Sequence, residues 1–142
     1  MNNKPIEEFR SFNRFYTAVI GLLDNHILNS NYTLVEARIM YELYHGKNQT
    51  ASDLIHTLSI DKGYLSRVLR QFEKRKFINR QRSAEDTRVI FLNLTAEGKK
   101  EFQQLDKASN DQVKSILKEL SEKDLALLLG SMAEIKRILT SK

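Results

Sequence analysis

Residues 50–80 read TASDLIHTLSIDKGYLSRVLRQFEKRKFINR, and this stretch decides the fold. Thr50-Ala51-Ser52-Asp53 has the make-up of a helix start, followed by Leu54, Ile55 and Leu58 on one apolar face. Only Ser59 and Ile60 separate that helix from Asp61, whose carboxylate can accept from the free amides of the next helix start. The second helix, predicted over Lys62 to Lys76, carries Leu65, Val68, Leu69 and Phe72 on one stripe. Two short helices joined by a tight turn, the second strongly basic, form a helix-turn-helix pattern.

A helix reads the major groove of DNA only if one face packs on its domain and the opposite face is polar. Here the apolar stripe leaves Lys62, Gly63, Ser66, Arg67 and Arg70 on the far side. Arg67 and Arg70 have the chemistry to form paired bonds to guanine or to grip phosphate, and Ser66 suits either partner. Gly63 has two readings, a backbone that approaches the sugar-phosphate chain closely or a plain turn glycine. Tyr64 lies between the faces, where core packing and a DNA contact both fit. Thr50 and Ser52 offer hydroxyls and amides to phosphate, and both also serve as helix caps.

Outward toward the C-terminus the texture changes. Phe77 to Arg82 and Arg88 to Leu94 are rich in β-branched and apolar residues, separated by Ser83-Ala84-Glu85-Asp86-Thr87. This predicts a β-hairpin with a charged tip. Arg82 and Arg88 flank the tip, and Asp86 stands two residues before Arg88, close enough to hold its guanidinium in one orientation. A fixed arginine suits the narrow, electronegative minor groove of A·T-rich DNA, whereas an isolated surface ion pair is worth little. Thr95 then opens a helix holding Phe102, Leu105, Val113, Ile116, Leu117 and Leu120, and Ser121 opens another with Leu125, Leu128, Leu129, Met132, Ile135 and Leu139.

Outward in the other direction, Thr33-Leu34-Val35-Glu36 is a capping box that starts a helix through Ala37, Ile39, Met40 and Leu43, ending near His45-Gly46. Before it, Phe9 to Ile27 recur at three- and four-residue steps and predict a long amphipathic helix over Glu7 to Leu28, broken by Asn29-Ser30-Asn31. The fold class is therefore mainly α with a small β-hairpin wing, a winged helix-turn-helix flanked by helices at both ends. The apolar stripes of the first and last helices exceed what the small lobe covers, which predicts a homodimer.

Charge is distributed to match. Of 142 residues with a net charge of +5, Lys62 to Arg88 hold nine basic residues against three acidic ones, so the rest of the chain is close to neutral. A local basic patch on a neutral body is the footprint of a polyanion binder. A hydrophobic share of 41% and a charged share of 29% suit a globular chain with its own core. There is no cysteine, which removes disulfides and thiol sensing and agrees with a cytoplasmic setting. His26, His45 and His56 lack the spacing of a zinc site. No apolar run approaches a membrane span of about 20 residues, and MNNKPIEEF has no secretory pattern, so no membrane partner is expected.

The quoted stretch, followed by SAEDTRVIFLNLTAEGKK over 83–100, is similar to the MarR family of bacterial regulators, and the likeness extends over nearly the whole chain. The resemblance implies one MarR-like domain over 1–142, with a DNA-binding lobe at 33–94 and dimerisation helices at 5–30 and 95–142. It also implies a major-groove helix beginning near Asp61 and a minor-groove arginine oriented by a wing Asp-x-Arg motif, matched here by Asp86-Thr87-Arg88. The implied partner is a pseudo-palindromic double-stranded operator. The implied activity is repression relieved by a small aromatic effector. Tyr16, Tyr41, Tyr44 and His45 could face such an effector, and each also fits ordinary packing. Lys76-Phe77 departs from the family, which commonly has glycine there, so the helix is expected to end without the easy left-handed cap, at a cost of ~1 kcal/mol.

SFNRFYTAVIGLLD with LVEARIMYEL resembles a narrower group in which such a segment precedes a GNAT-type acetyltransferase. The chain is then either free-standing or the regulatory part of such a fusion. A third alternative is a protein-interaction module on a winged-helix scaffold, although interface cores are usually depleted in charge. No Gly-rich phosphate loop and no nucleophile or His/carboxylate constellation is present, so neither an enzyme nor a cofactor is expected.

Overall fold

Side-chain caps open every helix of the computed structural model, which describes residues 2–20 and 31–140. Asn2 Oδ1 accepts from the Lys4 amide at 3.0 Å and starts α1 (Asn3–Val19). Pro5 falls in its first turn, where the missing N–H would have had no helical partner. The predicted helix began at Glu7, so the cap adds a turn at the front. The rest of that prediction, Gly21 to Leu28 with the break at Asn29-Ser30, lies outside the described residues.

Thr33 and Glu36 form the predicted capping box, with Thr33 N to Glu36 Oε1 at 2.8 Å and Glu36 N to Thr33 Oγ1 at 3.2 Å, opening α2 (Leu34–His45). A second box, Thr50 with Asp53, opens α3 (Ala51–Leu58). Ser59 takes a left-handed φ of 52° and turns the chain toward Asp61, whose carboxylate accepts from Tyr64 N at 2.9 Å to start α4 (Lys62–Lys74). Strands β1 (Ile78–Arg82) and β2 (Ile90–Leu94) pair antiparallel, Ile78 opposite Leu94 and Arg82 opposite Ile90. Gln49 adds a bridge to Leu92 that the sequence pattern did not announce. Thr95 Oγ1 accepts from Gly98 N and opens α5 (Ala96–Leu117), and Ser121 Oγ does the same for α6 (Glu122–Thr140).

Two predicted boundaries need correction. Arg88 sits in the turn between the strands instead of in β2, because Ser83 N pairs with Val89 O and Val89 N with Asp86 O, closing the tip below it. The basic helix ends at Lys74, and it does end on a left-handed residue: Lys76 has φ 63°. Its N–H donates to Glu73 O at 3.0 Å and that of Phe77 to Phe72 O at 2.8 Å, the paired bonds of a Schellman cap. The Phe72 and Phe77 rings, 6.3 Å apart, supply the apolar contact that accompanies such caps. Contact of half-buried Phe77 with buried Phe72 holds a lysine in a conformation glycine would take more cheaply.

The contacts group the chain into one unit up to Asp106 and a second from Lys107, with the boundary inside α5. In the first unit Ile39, Met40 and Leu43 of α2, Leu54 of α3, Leu65, Val68, Leu69 and Phe72 of α4, Ile78, Leu92 and Leu94 of the strands, and Phe102 and Leu105 of α5 share one core with Tyr32. The four apolar residues read as the stripe of α4 are all within this core, each worth about 1.5–3 kcal/mol on full burial. The second unit holds the rest of α5 and α6, with Ile116, Leu117, Leu120, Leu125, Leu128 and Met132 half-buried at helical spacing. Neither α1 nor α6 contains a buried side chain among the described residues.

Candidate nucleic-acid interface

Burial of Leu65, Val68, Leu69 and Phe72 fixes the rotation of α4 about its axis. Lys62, Gly63, Ser66, Arg67 and Arg70 consequently stand exposed on the opposite face. Gly63 is the second residue of the helix and its φ is not left-handed, so no turn requires a glycine there. Its lack of a side chain instead leaves room beside Asp61 Oδ2, which a Cβ would approach to 3.0 Å. Tyr64 is half-buried at the rim of the core, and the Arg67 guanidinium carbon lies 5.8 Å from its ring centroid.

Thr50 is engaged as a cap by Asp53, and Ser52, the second residue of α3, is exposed. Their hydroxyls therefore differ: one is bonded within the helix start, the other faces solvent.

At the wing, Asp86 grips Arg88 with both oxygens. Nε of Arg88 donates to Oδ1 and Nη2 to Oδ2, each at 3.1 Å, and the Arg88 backbone N–H also donates to Oδ1 at 3.0 Å. These bonds, the side-chain ones first, hold the Asp86 carboxyl below the usual carboxylate range. Ser83 Oγ accepts from the amides of Glu85 and Asp86 and shapes the loop that presents the pair. Arg82, at the end of β1, donates to the Thr87 carbonyl at 2.6 Å, so it braces the tip from the opposite side. The Arg88 side chain is 89% exposed despite its partner, leaving its outer edge open to a ligand.

Several contacts tie the wing and α4 into one piece, and sequence reading missed them. Arg80 of β1 meets Glu73 of α4 through Nε at 2.9 Å and Nη2 at 2.8 Å. Arg75, the C-cap of α4, lies over the rings of Tyr32 and Phe77, with centroids 5.5 and 5.4 Å away. Tyr32 in turn donates to Glu101 Oε1 of α5 at 2.8 Å. Thr95 donates from Oγ1 to the Lys76 carbonyl at 2.6 Å, and its N–H donates to Phe77 O. A Cβ on Gly98 would stand 2.1 Å from Phe77 O, so the first turn of α5 approaches the α4–β1 turn as only glycine allows. The signals were there singly, a capping threonine and a glycine early in a helix, but their partners lie around 20 residues or more away.

The aromatic residues considered for an effector pack among themselves. Tyr41, Tyr44 and His45 gather on Phe102, with centroids 4.6 Å apart for Tyr44 and Phe102. Tyr16 stacks on Phe12 within α1. Among the described residues no group of His, Cys, Asp and Glu is arranged to hold a metal, and no helix is long and apolar enough to cross a membrane.

The sequence profile of the MarR family matches residues 32–90, the span from Tyr32 through the wing. The chain is also 31% identical over 103 residues to HTH-type transcriptional regulator BilQ of Clostridium symbiosum (strain WAL-14163), covering 69% of this chain and 72% of that protein. The chain belongs to the MarR family. Its class of function is accordingly transcriptional regulation. HTH-type transcriptional regulator YdgJ of Bacillus subtilis (strain 168) is 29% identical over 94 residues, and the match spans 66% of this chain and 57% of that longer relative. Among solved structures, Streptococcus pneumoniae FabT in complex with DNA superposes with a TM-score of 0.78 at 20% identity, covering 99% of both chains. That likeness speaks for the MarR winged-helix fold, residue by residue dissimilar as the two chains are.

Proposed function

We propose that this MarR-family chain is a sequence-specific binder of double-stranded DNA that acts in the cytoplasm as a homodimeric repressor. The observation that carries the reading is the pairing of two prepared cationic elements on one lobe: an α4 face with Lys62, Ser66, Arg67 and Arg70 exposed, and a wing tip where Asp86 orients Arg88. The first is suited to base edges and phosphates in the major groove, the second to a narrow minor groove. Thr50 and Ser52 at the start of α3 and Tyr64 and Gly63 on α4 complete the candidate surface, with Arg82 bracing the wing.

In this reading residues 33–94 form the DNA-binding lobe of a single MarR domain, and the flanking helices join two copies. Support comes from the apolar side chains left on α1 and α6, among them Phe15 at 64% and Leu127 at 60% exposure. A two-fold dimer would set two α4 helices about one helical turn apart, ~34 Å, on a pseudo-palindrome. Repression and its release by a small aromatic effector follow from the family resemblance.

Selection of bound sequences from a random DNA pool tests the proposal, with the winner measured across a salt series. The expected result is a pseudo-palindrome whose affinity falls steeply with salt, by several counterions per dimer. Arg88→Ala should lose affinity mainly at A·T-rich flanks. No enriched sequence would defeat the proposal.

A further inference from the structure

We infer that Tyr64 and Gly63 form a slot that fixes the direction of Arg67, making Tyr64 a positioning residue for base readout and Arg67 the reader of a guanine. The inference deepens the DNA-binding reading above and rests on it. A long side chain on a helix leans toward the helix N-terminus and lies over residues three and four positions earlier. For Arg67 those are Tyr64 and Gly63. Its guanidinium carbon is 5.8 Å from the Tyr64 ring centroid, within cation–π range. Its Nη1 passes 3.7 Å from the point where a Cβ on Gly63 would sit, so the guanidinium runs beside the side-chain-free position 63, which borders the slot on its other side.

Neither wall uses up a donor of the guanidinium, because one offers only a ring face and the other no side chain. Arg67 makes no ion pair or side-chain hydrogen bond among the described residues, unlike Arg80 and Arg88, whose forks are taken up by Glu73 and Asp86. Its planar fork is therefore aimed but unspent, toward the N-terminal end of α4, the end that meets base edges in this class of motif. The acceptor pair that matches a planar two-donor fork is O6 and N7 of guanine. Tyr64 is itself held, its amide bonded to Asp61 Oδ2 at 2.9 Å and its ring at the core rim, so the platform does not depend on DNA for its position.

The test measures, for the full chain, the ratio of affinities between the selected site and versions with each guanine in a half-site replaced by adenine. Tyr64→Leu should lower that ratio about tenfold at one base-pair position per half-site and leave the ratios at the others in place. Tyr64→Phe, which keeps the ring, should restore it. Arg67→Lys, at an exposed position outside the core, should lose the ratio at the same position, since an ammonium lacks the fork. The Tyr64→Leu/Arg67→Lys double variant should lose no more than either single one. Equal loss at all positions for Tyr64→Leu would reduce the ring to a structural or phosphate-side role. Loss in Tyr64→Phe matching that in Tyr64→Leu would make the hydroxyl a direct contact and overturn the slot. If the parent chain binds no DNA, the underlying reading fails and this inference with it.

Discussion

Lys76 holds a φ of 63° at the end of α4, a conformation that costs a residue with a Cβ about 1 kcal/mol relative to glycine. Lys76→Gly should therefore raise the urea midpoint by the equivalent of ~1 kcal/mol, whereas Lys76→Ala should leave it near the parent value. A second residue-scale consequence concerns Tyr32. Burial, followed by its bond to Glu101, pushes its phenol well above the ordinary value of about 10. The folded chain keeps a proton that the unfolded chain releases above pH ~10, so stability is intact below that pH and falls as pH rises beyond it. Tyr32→Phe should flatten this alkaline fall and cost ~1 kcal/mol at neutral pH through the lost hydrogen bond, both read from unfolding curves against pH. Local chemistry at this scale was legible in the sequence. Thr33, Thr50 and Asp61 cap where their spacing places them, and Asp86 reaches Arg88 because only one residue intervenes. Arg75 on Tyr32 and Arg80 on Glu73 were not legible, since nothing in the order of residues says which distant carboxylate or ring a long cation will meet.

At the scale of elements the apolar period announced every described helix, and it fixed the rotation of α2 to α5, because a stripe buried on one side leaves no choice of the other. Ends were read less well. A helix stop depends on what the next element offers, and α4 stops where Phe72 meets Phe77 and where Thr95 takes the Lys76 carbonyl. The same junction predicts the effect of Gly98→Ala. A methyl group 2.1 Å from Phe77 O forces α5 away from the α4–β1 turn, an overpacking expected to cost ~1–3 kcal/mol and to lower Tm by several degrees. Wild-type-like melting of Gly98→Ala would show that the first turn of α5 shifts freely. The Gln49–Leu92 bridge escaped sequence reading because a single paired residue has no period.

For the whole molecule the decisive fact is what remains unburied. Phe9, Phe12 and Phe15 of α1 are 56%, 49% and 64% exposed, a row that water tolerates poorly on a lone chain. The double variant Phe9→Ser and Phe15→Ser should shift the mass seen by light scattering at micromolar concentration from dimer to monomer. A parent chain already monomeric under those conditions would contradict the dimer. The basic stretch from Lys62 to Arg88 was legible as a polyanion footprint from charge alone, and the slot around Arg67 was not, because it depends on a ring and an empty position that only the folded helix brings beside the guanidinium. In a dimer the grip of Asp86 on Arg88 acts at both wings, and its benefit is one of disorder already removed. An arginine that is ordered before DNA arrives loses less rotational freedom on contact, and two such side chains together are worth roughly tenfold in Kd. That gain would register in calorimetry as a smaller entropic penalty of association, with no added contact to account for it.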